Sequence, residues 1–231
     1  RFLFSKEKYW FFEQILSIEN KYDIKSYFNF YANIDGNSKT IKKMLLDPSY
    51  DINKNYLKEL LKKLRLNGCE IGLHPSFDSW NNSKRLLKEK NKLEQCLGEV
   101  IGSCRQHWLR FGWNDTWKIQ EKLGFKKDFT LGFNDRSGFR ASSCISFNPW
   151  NFETDSPMLI NAVPILLMDS HLYDYGCLSK EIIFSELKYW IDEVKTVRGE
   201  ASIIWHHRVM GEDYGWSEGY IECLHQIYSN R

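Results

Sequence analysis

No run of about 18 apolar residues occurs in this 231-residue chain, so no membrane-spanning segment is expected. The opening RFLFSKEKYWFF lacks the pattern of a secretory leader. It begins on a residue other than Met inside an apolar segment, so further sequence upstream is expected. No C-x-x-C pair is present. The six cysteines (Cys69, Cys96, Cys104, Cys144, Cys177 and Cys223) stand singly, which excludes a zinc ribbon and a dithiol redox motif. They read as buried free thiols and lean towards a reducing, cytoplasmic compartment. Strong charge is lacking too. The formal net charge is +2, with Lys and Arg scattered among Glu and Asp, and no nucleic-acid partner is expected. With no linker, repeat or low-complexity tract, residues 1–231 are expected to form a single soluble domain. A chain of this length buries roughly 70–75% of its unfolded surface and needs neither disulfide nor metal to stay folded.

Aromatic residues are abundant, at 16% with nine Trp. Two readings stay open: a core of large side chains, or a groove lined with rings, which suits the apolar C–H faces of sugars.

Periodicity places the elements. Lys6–Asn20 reads as a helix and Ile24–Tyr31 as a strand, followed by a polar loop. Asn55–Asn67 carries Leu57, Leu60, Leu61 and Leu64 at i, i+3, i+4, i+7, with Gly68 as its stop. Cys69–Leu73 is a short buried strand. Ser83 is expected to cap a helix ending at Leu97–Gly98. Val100–Cys104 is the next strand. Asn114 or Asp115 opens a helix closed at Gly124, and Phe125–Thr130 is strand-like. A long loop spans 132–151. Met158–Met168 reads as one strand, Ser179 caps a helix to Val197, Ala201–Trp205 is a strand and Ser217–Tyr228 a closing helix. Such alternation predicts a parallel α/β protein. Six or so such units fit a barrel, complete or not, with an open doubly wound sheet as the alternative.

Three histidines end apolar runs: CEIGL-His74, EVIGSCRQ-His107 and ASIIW-His206. Carboxyl ends of parallel strands are where α/β active sites are built, so the three form a candidate metal or acid–base site. Asp78 joins His74 on one metal, or caps the next turn. Arg105 orients a carboxylate, for which Asp128 is the expected partner, or makes a surface ion pair. Arg140, in the long loop, is placed to bind an anionic or polar substrate group. Pro164–His171 is another strand end carrying polar residues, Asp169 among them. Adjacent strand residues face opposite ways, so His206 rather than His207 is taken into the site, with Trp205 behind it or walling the pocket.

GCEIGLHPS, RQHWLRF, the succession LGF–DFTLGF–GFR, and IIWHH together resemble the motifs of polysaccharide deacetylase-like proteins, relatives of the family-four carbohydrate esterases. The resemblance runs in order along the whole chain. It implies a distorted (β/α) barrel and a divalent metal, zinc first, used to remove acetyl groups from N-acetylated or O-acetylated sugars. It makes His74 a metal ligand and puts Asp78 where the esterases carry a second His ligand. Arg105 becomes the arginine that orients the catalytic carboxylate. His107 stands where the esterases have Pro, as a substitute ligand. Asp128 roughly matches the fourth motif and His206 the general acid of the fifth, while Trp108, and Trp113 beside it, would stack on sugar rings. The family's Asp-Asp pair belongs on a strand before the first helix. This chain begins beside that helix, and Asp35 follows the next strand instead. A glycan-binding module without turnover is therefore the alternative, and histidines holding one another and backbone carbonyls is a third.

Overall fold

The computed structural model describes residues 9–36 and 40–228, and the chain divides into two compact units. A sheet unit comprises Ser26–Leu131 and Ser146–Val163. A helix-pair unit comprises Arg1–Lys25, Gly132–Ile145 and Pro164–Arg231. The chain passes between them several times, so no single linker marks a boundary in the sequence.

The sheet unit contains β1 (Tyr27–Phe30), α2 (Ile41–Leu46), α3 (Asn55–Leu66), β2 (Glu70–Leu73), α4 (Ser83–Leu97), β3 (Ser103–Cys104), α5 (Thr116–Lys122), β4 (Lys127–Asp128), β5 (Trp150–Asn151), β6 (Ser156–Pro157) and β7 (Asn161–Ala162). Its main sheet is parallel, in the order β1-β2-β3-β4-β7, with β5 and β6 forming a separate antiparallel pair. The leucine stripe of α3 does what its spacing predicts: Leu57, Leu60, Leu61 and Leu64 are all buried. Each contributes about 1.5–3 kcal/mol of apolar burial. Gly72 is required by close approach, since a Cβ there would collide with Asn29 Oδ1 on β1 and Ser103 Oγ on β3.

The helix-pair unit contains α1 (Phe12–Asn20), β8 (Ile165–Met168), α6 (Lys180–Thr196), β9 (Ser202–Ile204) and α7 (Ser217–Tyr228). β8 and β9 pair in parallel with Met168 opposite Ile204. Their core continues through Ile183, Leu187 and Ile191 of α6 to Cys223 of α7. Among the described residues the strands close no barrel. The α/β class with a parallel sheet stands, in an open and distorted form.

Several elements differ from expectation. Asn82, not Ser83, caps α4: its side chain accepts the Arg85 N–H at 3.0 Å, and the chain turns in one residue early. The first helix begins at Phe12. Trp10 and Phe11 precede it, and the expected start at Lys6 lies outside the described residues. Met158–Met168 is two strands, not one. Pro164, with no N–H to give a ladder, falls at the passage between units, where Val163 N still bonds Asp128 O and Pro164 O already accepts from Ser202 N. The polar loop after β1 contains α2, capped by Thr40. Ile41 and Leu45 of that helix are 78% and 74% exposed, so no inward stripe announces it.

Candidate active site

The carboxyl edge of the main sheet carries one group of candidate residues. His74 extends β2 by one step, its N–H bonding Phe30 O at 2.9 Å. Its ring Nδ1 lies 2.7 Å from Arg105 O. A carbonyl only accepts, so Nδ1 carries the proton and the lone pair sits on Nε2. Arg105 follows β3, its N–H bonding Leu73 O at 2.9 Å.

His107 opens a short 3-10 turn, His107–Leu109, in which Trp108 (φ 56°) and Leu109 (φ 49°) are both left-handed. Such residues cost about 1–3 kcal/mol each and cluster at functional sites. The turn brings the His107 ring edge-on to His74, with centroids 4.7 Å apart. It leaves Trp108 half exposed. His107 Nδ1 lies 3.2 Å from Asp47 Oδ1, so in the neutral ring this nitrogen is again the protonated one. Both imidazoles are thus anchored through Nδ1–H to an oxygen and present Nε2, the arrangement that metal-binding histidines show.

The two rings fit as two nitrogen donors. Among the described residues no three His, Cys, Asp or Glu side chains form a group able to hold a metal. Asp78, expected to complete the set with His74 and His107, is engaged elsewhere. Its half-exposed carboxylate sits 2.7 Å from Lys42 Nζ and 3.2 Å from Arg110. The hydrogen bond from Lys42, helped by that from Arg110, holds it below the ordinary carboxylate range.

Asp128 is not aligned with Arg105. Register sets Asp128 opposite Cys104, so alternation sends Arg105, one residue on, to the other face. Asp128 is fully buried and accepts from Trp117 Nε1 (3.0 Å), Gln120 Nε2 (2.9 Å) and Thr130 Oγ1 (2.5 Å). Burial raises its pKa against those bonds.

Asp35 is bound by Lys43 and Arg85. Arg85 in turn donates to Ser76 Oγ at 2.6 Å, and Ser76 donates to the buried Glu89. Asp35, Lys43, Asp47, Phe77, Asp78 and Arg85 line a polar pocket within this unit. Trp113 is more than half exposed and meets Phe111 and Trp117 edge-on.

The helix-pair unit holds the second group, at the carboxyl ends of β8 and β9. Asp169 directly follows β8 and is fully buried. It accepts the backbone N–H of His206 at 2.6 Å and that of Ser170 at 2.7 Å. His206 Nδ1 lies 2.8 and 3.0 Å from its two oxygens. Burial alone would raise the Asp169 pKa, but the His206 ring and the two N–H groups outweigh it and the carboxyl is held low. The His206 side chain stays 36% exposed, and its Nε2 has no hydrogen-bond partner among the described residues.

His171, near the same strand end, is a different case. Its Nδ1 accepts the Met168 N–H and its Nε2 meets Phe133 O, both at 3.2 Å. Burial lowers its pKa. Trp205 packs against Tyr173 and Tyr220. Arg140 is half-buried and makes no ion pair among the described residues. Sequence reasoning gave no role to two residues that matter here. An acidic residue straight after an all-apolar strand was the available signal for Asp169. Asp47 had none.

No family model matches the sequence, and no curated protein matches it. Solved structures do. A protein from Mycobacterium smegmatis assigned as a polysaccharide deacetylase superposes with a TM-score of 0.59 at 17% identity, over 94% of this chain and 70% of that one. PuuE allantoinase superposes with a TM-score of 0.63 at 15% identity, over 94% and 66%. This chain therefore spans about two thirds of the length of each. At such identities the likeness is one of fold, and on that ground the chain has the fold of these two structures.

Proposed function

We propose that this chain is a metal-dependent hydrolase that removes acetyl groups from N-acetylated or O-acetylated sugars. The observation that carries the proposal is the Asp169–His206 pair. A buried, low-pKa carboxylate fixes the ring through Nδ1–H and leaves Nε2 outward, which is how a proton carrier is held for acyl transfer. A carboxylate takes the proton shed by the attacking water. His206, protonated at Nε2, delivers a proton to the departing nitrogen or oxygen as the bond to the acetyl carbon breaks, giving acetate and a free amine or hydroxyl. Asp169 keeps the ring in register and stabilises the imidazolium form.

A divalent ion, zinc first, would polarise the acetyl carbonyl and acidify water, with His74 and His107 as two of its donors. Trp108, and Trp113 beside it, offer rings to a sugar face. Arg105 would orient a carboxylate other than Asp128, which stands where the family's fourth motif falls, while Arg140 would meet a polar substrate group and Trp205 would wall the pocket. The half-exposed Trp108 and Trp113 also favour a second reading, a glycan-binding module without turnover.

The test is acetate release from a panel of N- and O-acetylated oligosaccharides by zinc-loaded protein. The expected result is turnover by wild type and a loss of about 10²–10⁴-fold in His206→Ala at equal zinc content. Glycan bound with no acetate released would move the assignment to the binding module. Acetate release unaffected by His206→Ala would remove the proton-carrier role.

A further inference from the structure

One carboxylate joins both loops that carry the sheet unit's imidazoles. Asp47 follows the last residue of α2 and its side chain is 8% exposed. Its Oδ1 accepts the Phe77 N–H at 2.8 Å, three residues beyond His74. The same oxygen lies 3.2 Å from His107 Nδ1. Its neighbour contributes as well: Leu46 O faces Trp108 Nε1 at 3.4 Å. Two consecutive residues at the end of α2 therefore grip two consecutive residues of the left-handed turn.

We propose that Asp47 is a positioning residue: it holds His107 in the Nδ1–H form with Nε2 presented as a donor, and ties that ring to the loop of His74. A carboxylate is an acceptor only, so the imidazole nitrogen facing it carries the hydrogen. A neutral ring has a single N–H, so Nε2 is then bare. The Phe77 N–H keeps Oδ1 from swinging away. The Arg105 carbonyl sets His74 in the same form, so both rings offer the same nitrogen although their anchors differ. The role of His107 Nε2 as a metal donor rests on the proposed function. The tautomer does not.

The first readout is two-bond ¹H–¹⁵N imidazole NMR of labelled protein, at a pH where the rings are neutral. The second is zinc affinity by competition with a chromophoric chelator. Wild type is expected to show His107 protonated on Nδ1. In Asp47→Ala that form is expected to give way to a mixture, with zinc affinity about 10–100-fold weaker, as for other partners of ligating histidines. Asp47→Asn keeps an oxygen acceptor and is expected to restore the tautomer and most of the affinity. Lys42→Ala, on α2, breaks the pair with Asp78 of the loop after β2 and is expected to leave both readouts unchanged, which separates positioning from loosening of α2.

Wild-type His107 protonated on Nε2 would overturn the proposal without need of any variant. So would an Asp47→Ala protein with unaltered tautomer and affinity. A tautomer that follows Asp47 in a protein that takes no zinc would uphold the positioning role and overturn the metal reading.

Discussion

Replacing Asp169 by Asn changes little in shape and much in chemistry. The carboxylate receives three N–H groups, from His206 N, His206 Nδ1 and Ser170 N, at 2.6, 2.8 and 2.7 Å. An Asn oxygen can accept two of them at most, and its NH₂ must then face a donor. At least one charge-assisted bond, each about 1.5–3 kcal/mol, is lost in a fully buried position. A net destabilisation of about 2–3 kcal/mol is expected, or roughly 5–10 °C in Tm at the 2–4 °C per kcal/mol of a chain this size.

The pH dependence has a fixed sign. A carboxyl held low in the folded protein adds stability that is present above its unfolded pKa of about 3.9 and is lost as pH falls through the lower folded value. Asp169→Asn should therefore flatten the acid limb of stability. On activity, an amide that donates to His206 Nδ1 would move the ring proton to Nε2, the error known to cost about 10⁴-fold in a serine-protease triad. The assays are thermal unfolding from pH 3 to 7 and acetate release at pH 7. Unchanged Tm with unchanged acetate release would refute the claim that Asp169 anchors His206.

Other outcomes follow from the same structure. His207, stacked on Phe12 with centroids 4.7 Å apart, has its pKa pushed down to about 4 by desolvation first, then by His206 and Arg208, although its residue surface remains partly exposed. Since the unfolded ring takes its proton near 6.5 and the folded one near 4, stability should fall as pH drops through that window. Discounted for exposure, the loss is about 1 kcal/mol, and His207→Phe should remove it in a denaturant titration at pH 7 and 4.5. Leu61→Ala, at a fully buried position of the α3 stripe, should cost about 2–5 kcal/mol by urea unfolding. Trp108→Ala should raise KM for an oligosaccharide by several-fold to about 100-fold with little change in kcat, as loss of a stacking surface does.

The helices were legible where an apolar stripe faces a core. α3 meets that condition, and its buried residues Leu57, Leu60, Leu61 and Leu64 are the ones the spacing picks out. The rule failed for α2, whose Ile41 and Leu45 face outward. It also failed at Pro164, where a continuous apolar run serves two sheets in turn. The strand-end histidines could be found from the runs they terminate, but not sorted. His171 and His206 both lie just past strands, and only their partners distinguish them: a backbone N–H with a carbonyl for one, a carboxylate for the other. Asp47 meets His107 across 60 residues of chain, and no local pattern encodes such a pairing. The Asp128–Arg105 pairing failed because a one-residue step in register reverses the face.

The most direct measurement of proton delivery by His206 compares two substrates that differ in what the leaving group needs. An N-acetylated sugar expels an amine that must be protonated, whereas an aryl acetate expels a phenolate that need not be. His206→Ala should lose about 10²–10⁴-fold on the sugar amide and stay within about tenfold of wild type on the ester. Equal losses on both, or none on the amide, would contradict it.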